Sequence, residues 1–361
     1  MVTDWMISIF TLSDYIFAMV GASLVISGNY HVKRNQLLWV LLLLGVIVAN
    51  IVMNINLNEN FVLKTGVAAL IRITYYAVIV TGVYNYVKSH QLEAQFLEIL
   101  NIVAVIVVAI GIYITIALYS EGQLPYEILW TFTRTDEASY FFKENASLIR
   151  TRSVFSEPSY LGYYLNVILS INLFNKVQLN TKRVYNFLIV TTVLLTFSYS
   201  AIGTMIFIFI LYIFSQIRTG KIKWTRMSII YLLIIFVLIF IFWDFLDETI
   251  MKRSVYILSG EDVSAYNRLV SSWKYVNLEH IFVGNGIGHT PNIWNVYAYI
   301  LSDIGLAAFL LSGIFSLFFL YKNFYLGSVF IILNFQKGGY LNPIFSLLLL
   351  LMFIYMSDYK K

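Results

Sequence analysis

The sequence predicts an all-α integral membrane protein with about eleven transmembrane helices and two large extracytoplasmic loops, and three observations predict it. Hydrophobic residues make up 60% of the 361-residue chain and charged residues only 12%, far from the balance of soluble domains. Apolar runs of roughly 15–25 residues recur from end to end, leaving room for no soluble domain beyond two polar loops; mean hydropathy is +0.78. Basic residues gather on alternate connections, the pattern of short loops held on the cytoplasmic side. A single polytopic membrane domain over residues 1–361 follows.

In order, the predicted spans are 9–27, 36–53, 61–83, 97–119, 158–175, 184–198, 200–216, 227–243, 292–320, 324–335 and 342–356. The first has no basic segment before it and no small-residue cleavage site after it, so it reads as a span rather than a cleavable signal. The run 184–216 is too long for one crossing. Basic residues flank it at both ends, Lys182-Arg183 before and Arg218, Lys221, Lys223 and Arg226 after, so it should fold back near Ser198-Tyr199-Ser200 as two short helices. The run 324–355 behaves alike, turning at Gly338-Gly339 and Asn342-Pro343 between Lys322 and Lys360-Lys361.

Lys33-Arg34, Lys88, the 176–183 and 218–226 groups, Lys322 and the C-terminal lysines then share one face, which the positive-inside rule makes cytoplasmic. The long connections 120–157 and 244–291 face outward. Each carries four basic residues: Arg134, Lys143, Arg150 and Arg152 in the first, Lys252, Arg253, Arg268 and Lys274 in the second. Long loops obey the rule poorly, so simple solvation accounts for these charges. A second account has both loops closing over an anion such as a diphosphate, to which arginine's planar fork donates paired hydrogen bonds.

The first loop ends in Arg150-Thr-Arg152-Ser-Val-Phe155-Ser-Glu157-Pro158, with Pro158 suited to the first turn of the next helix. Glu157 either caps that helix and pairs with Arg152, or acts as a general base. The second loop ends in Gly284-Asn285-Gly286-Ile287-Gly288-His289. Its alternate glycines lack the spacing of a nucleotide fingerprint and read as a tight turn, or as backbone able to approach a ligand. His289 beside them is a candidate proton carrier, whereas His31, His90 and His280 are assigned no role.

Inside the spans, Arg72 and Asp303 are charges costly to leave in hydrocarbon. They are expected to pair with each other, or Arg72 to face a polar cavity holding a lipid headgroup, with Asp14 as the competing partner. Lys64 can snorkel. The pairs Asp136-Glu137, Asp247-Glu248 and Glu261-Asp262 read as solvated loop charge, since no histidine cluster accompanies them and no metal site is expected. The absence of cysteine excludes disulfides, iron–sulfur centres and thiol catalysis. No basic patch interleaved with aromatics points to nucleic acid.

Four features occur in sequence: Arg152-x-x-Phe155-x-Glu157-Pro158 entering a span, Phe197-Ser198-Tyr199-Ser200 between two short spans, Arg268 sixteen residues before Gly284, and Asn295 with Gly305 in the helix that follows. Over roughly residues 145–310 this set resembles the Wzy-type polymerases of O-antigen, capsule and exopolysaccharide biosynthesis and the related O-antigen ligases, bacterial membrane glycosyltransferases of the GT-C class. The resemblance implies an undecaprenyl-diphosphate-linked glycan as donor and a second lipid-linked repeat unit as acceptor. It implies an active site on the outer face of the cytoplasmic membrane, no cofactor and no metal, and a flippase and a chain-length regulator as partners. Two departures favour polymerase over ligase. Trp294 stands where the ligases carry a histidine before the asparagine matched by Asn295, and Tyr199 stands where the serine motif usually continues with arginine. On this reading Arg152 and Arg268, with Arg150 secondary, stabilise the departing diphosphate, and Glu157 or His289 takes the proton from the attacking hydroxyl. A single in-line displacement would invert the anomeric carbon. A lipid-linked oligosaccharide flippase is the rival from another class, although the sequence shows no repeated halves.

Overall fold

The computed structural model describes residues 6–7, 10–120, 123–129, 141, 148–177, 179, 181–220, 247, 252–291 and 293–356. The expected span 227–243, Arg134, Lys143 and the Asp136-Glu137 pair lie outside the described residues.

Those residues hold thirteen α-helices: α1 (Leu12–Ile26), α2 (Arg34–Leu57), α3 (Leu63–Ser89), α4 (Glu93–Tyr119), α5 (Pro158–Phe174), α6 (Lys182–Leu195), α7 (Tyr199–Arg218), α8 (Lys252–Ser259), α9 (Val263–Leu269), α10 (Val296–Ile304), α11 (Leu306–Lys322), α12 (Phe324–Gln336) and α13 (Pro343–Met356). A small antiparallel hairpin, Met6–Ile7 with Phe10–Thr11, precedes α1. Four helices, α2, α3, α4 and α7, are long and apolar enough to cross a membrane, and α1, α11, α12 and α13 are shorter apolar helices. Their outer faces stay greasy: Leu38, Leu41, Val52 and Ile55 of α2 and Ile206, Ile210 and Ile213 of α7 are exposed. Contiguous exposed apolar surface of this extent suits lipid and is compatible with a membrane protein.

The interior is built on helices that are apolar all round. In α5 thirteen of seventeen residues are buried, and in α10 all nine are. A helix with no polar stripe must be enclosed by others. Accordingly α5 lies against α4, α6, α7 and α12, and α13 lies against α3 and α12. Close approach is achieved with small residues, since a Cβ on Gly162 of α5 would sit 2.2 Å from the Ala201 Cβ of α7. Buried amides cross-link the packed helices: Asn172 on α5 exchanges hydrogen bonds with Asn101 on α4 and donates to Asn186 on α6.

One expectation is overturned. The predicted span 292–320 is broken into α10 and α11 at Gly305, whose φ of 86° lies in the left-handed region that favours glycine. The break is pinned from outside the helix, because the Leu306 N–H donates to Ile281 O at 2.9 Å and a Cβ on Gly305 would fall 2.3 Å from Phe282 O. The two runs expected to fold back are each interrupted between two helices. The run 184–216 turns at Thr196–Ser198, where Phe197 has a φ of 45°, and the run 324–355 turns between Gln336 and Pro343.

Candidate functional site

The segment before α5 is not a solvated loop. Residues 151–155 are all buried, and Arg152 is 0% exposed. The chain lies in a slot between α4 and the α6–α7 turn, and each residue has a reason to sit there. On the α4 side, Ser153 Oγ donates to Val107 O at 2.6 Å and the Thr151 and Thr115 hydroxyls bond at 2.9 Å. Gly111 makes room, since a Cβ there would meet the Thr151 methyl at 2.9 Å. On the other side, the Thr151 N–H donates to Leu195 O at 2.9 Å and Arg150 Nε donates to Thr196 O at 3.1 Å. Two of the motifs singled out in the sequence, the arginine segment and the serine turn, are therefore in direct contact.

Arg152 Nη1 donates to Ser156 O at 3.0 Å, fixing the last turn of chain before α5. Glu157 is the N-cap residue with extended backbone, and Pro158 takes the first helical position as expected. The Glu157 side chain makes no capping hydrogen bond to its helix. Instead its Oε2 accepts from Ser159 Oγ at 3.1 Å and stands 4.0 Å from Lys337 Nζ, with the carboxylate side chain 34% exposed. That leaves the capping alternative without its defining bond.

Lys337 was not foreseen. It is the C-cap of α12 and is buried, with Nζ donating to Ser159 Oγ at 3.1 Å. The same ammonium lies 3.1 Å from the Tyr160 ring centroid and 4.9 Å from that of Trp294. Aromatic faces hold a desolvated cation well. The turn that carries it is locked at both sides: Gln336 Nε2 donates to Ser200 O at 2.8 Å, and Gly338 packs so closely on Ile293 O that a Cβ would approach to 1.5 Å. A lone lysine beside Gly338-Gly339 was the available signal, but its three partners come from distant parts of the chain.

The second long connection reaches the same end of the bundle. In α8, Ser254 Oγ bonds the Tyr199 hydroxyl at 2.9 Å, and α9, whose last turn bears the half-buried Arg268, packs against α12. Arg150, Arg152, Glu157, Lys337 and the element carrying Arg268 thus share one end. The opposite end carries Lys33, Lys88 and Lys322 on its turns, closed by contacts such as Lys88 with Glu93 at 3.0 Å.

The glycine-rich loop has a different job. Gly284, Gly286 and Gly288 all have positive φ, but what approaches them is the protein itself: a Cβ at Gly284 would meet Ser302 O at 2.6 Å, and one at Gly286 the Phe61 ring at 2.4 Å. Three asparagines at four-residue spacing on α2 grip the loop. Asn50 Nδ2 donates to Val283 O and Ile304 O, Asn54 Nδ2 to Val283 O, and Asn58 Nδ2 to Asn285 O, while Asn50 Oδ1 accepts from the Ile287 N–H.

Asp303 belongs to this lock rather than to Arg72. It is 0% exposed, and its carboxylate accepts from the Thr290 N–H at 2.7 Å, the Gly288 N–H at 2.9 Å and the Tyr340 hydroxyl at 2.7 Å. The expected pair is therefore corrected: backbone amides 15 and 13 residues earlier, with the Tyr340 hydroxyl, supply this carboxylate's donors. Arg72 is exposed on α3. Asp14 itself closes a capping box with Thr11 at the start of α1 and accepts from the Tyr76 hydroxyl. His289 has both ring nitrogens engaged. Nδ1 lies 3.0 Å from Ile287 O, Nε2 accepts from the Val62 N–H at 2.8 Å, and the ring stacks on Phe61. A neutral ring protonated at Nδ1 satisfies both contacts. Asn295 caps α10 through the Tyr297 and Ala298 N–H groups. Among the described residues no three His, Asp or Glu side chains come together in a way that could hold a metal ion.

Comparison of the chain with protein families, with characterised proteins and with solved structures finds no match.

Proposed function

We propose that this protein is a membrane glycosyltransferase of the Wzy type, a polymerase that joins undecaprenyl-diphosphate-linked repeat units into exopolysaccharide or capsule on the outer face of the bacterial cytoplasmic membrane. The observation that carries the reading is the buried seating of Arg150-Thr151-Arg152 against the serine turn, with a partly exposed carboxylate, Glu157, at the mouth of α5. Displacing a lipid diphosphate develops negative charge on the leaving oxygen, and fixed guanidinium groups stabilise it without reorganising. Arg150 and Arg268, both half-buried, are the arginines placed to meet the diphosphate, and the enclosed Arg152 holds the turn and contributes its field. Glu157 takes the proton from the attacking sugar hydroxyl, an assignment supported by its missing capping bond and by the engagement of both His289 nitrogens. The single displacement inverts the anomeric carbon.

A flippase for the same lipid-linked glycan has one observation in its favour, the helix broken at Gly305, a device that transporters use. The glycan ladder in a deletion strain separates the two. Loss of a polymerase leaves single repeat units exported, whereas loss of a flippase traps them facing the cytoplasm. In complemented strains Arg150→Ala and Arg268→Ala should abolish long chains while the protein still reaches the membrane. Normal chain length in both variants rules out the clamp.

A further inference from the structure

We infer that Lys337 is a positioning residue for Glu157, acting through the Ser159 hydroxyl. The inference rests on the reading of Glu157 as the base, and it names the group that orients it. Lys337 Nζ donates to Ser159 Oγ at 3.1 Å, and Ser159 Oγ in turn donates its proton to Glu157 Oε2 at 3.1 Å. The hydroxyl has one proton to give, so accepting from an ammonium commits that proton to the carboxylate. The ammonium is 4.0 Å from the same Oε2.

What distinguishes this from a surface ion pair is the housing. The lysine side chain is 6% exposed, its nitrogen faces the Tyr160 and Trp294 rings, and the turn carrying it cannot slide because Gly338 abuts Ile293 O. Tyr160 and Ser159 belong to the first turn of α5, Lys337 ends α12, and Trp294 leads into α10. Three separate elements therefore converge on the Lys337 ammonium, which with Ser159 supports a carboxylate side chain that is 34% exposed. A long flexible carboxylate side chain gains most from such a support, since a displacement of 1 Å at a reacting group costs on the order of 100-fold in rate.

The test is a double-mutant cycle read as the rate of long-chain glycan accumulation after pulse labelling, in a deletion strain complemented to matched membrane levels. Glu157→Gln alone should leave roughly 1% of the rate or less. Lys337→Met should lower the rate by about 100-fold in the parent, and Ser159→Ala by roughly tenfold or more. In the Glu157→Gln background neither should lower it further. Equal fold-losses in both backgrounds would make Lys337 a strut and overturn the inference while leaving Glu157 as the base. Full activity of Glu157→Gln removes the base reading, and the inference with it. Unchanged activity of both Lys337→Met and Ser159→Ala in the parent also overturns the inference. Should Lys337→Met fail to accumulate in the membrane, the Ser159→Ala arm decides by the same comparison.

Discussion

Asp303→Ala should detach the glycine-rich loop from α10. The carboxylate is wholly buried and serves three donors, the Gly288 and Thr290 N–H groups and the Tyr340 hydroxyl. Removing it orphans all three, at about 1–3 kcal/mol each. The total, roughly 3–9 kcal/mol if the losses add, is a large share of the 5–15 kcal/mol that typically holds a native domain together. Asp303→Asn is milder. Its single carbonyl oxygen can keep Gly288 and Tyr340, which share Oδ2, and its amide then faces the Thr290 N–H, one orphan costing about 1–3 kcal/mol. Tyr340→Phe orphans nothing and removes one bond to a charged acceptor, about 1.5–3 kcal/mol. Arg72→Ala, at an exposed position of α3, should move the transition by no more than about 0.5 kcal/mol. The assay is thermal unfolding of the detergent-solubilised protein, with limited proteolysis to report opening of residues 284–290. An Asp303→Ala protein with unchanged melting and protease resistance would refute the lock, whereas equal destabilisation by Asp303→Ala and Arg72→Ala would restore the ion pair.

Three further outcomes are expected. His289→Phe keeps the stack on Phe61 and removes the exposed hydrogen bond from the Val62 N–H, so it should lose about 0.5–1.5 kcal/mol of stability while the glycan ladder persists. Collapse of the ladder at unchanged stability would transfer the base role from Glu157 to His289. Gly338→Ala should destabilise by roughly 1–3 kcal/mol or more through its clash with Ile293 O. Gly203→Ala on α7 meets nothing within 4 Å and should be neutral or gain up to about 1 kcal/mol, as the same melting series would read.

Helix positions were legible wherever a boundary residue marks them. Pro158 starts α5, the Lys182-Arg183 pair opens α6, and Asn342-Pro343 opens α13, all within two residues of expectation. The break at Gly305 was not legible, because Ile304 and Leu306 continue the apolar run and hydropathy carries no information about φ. The arginine segment and the serine turn could each be picked out, yet their contact depends on Gly111 and Leu195, which look like ordinary apolar helix residues. Asn50, Asn54 and Asn58 follow one another at four-residue spacing up to the C-cap of α2, and no role was assigned to them from sequence. Their partners lie more than two hundred positions later, where no local pattern points back to them. Asp303 was misassigned for a related reason: two charges in apolar helices invite pairing, and the acceptor's true donors are backbone N–H groups that a sequence does not display.

The grip of α2 on the glycine-rich loop sets an order of assembly. Asn50 meets its acceptor Val283 only after 233 further residues have been made. At 5–20 residues per second that is a delay of roughly 10–50 s. Throughout it, the α2 amides lack their loop partners, with Asn54 able to donate only back to Asn50 O, a state in which an insertase or chaperone that shields polar helix faces would find its substrate. Closure of the bundle is thus a late event in synthesis, and substitutions at Asn50 or Asn54 should be felt first as premature release or degradation of the nascent protein and only afterwards as altered chemistry.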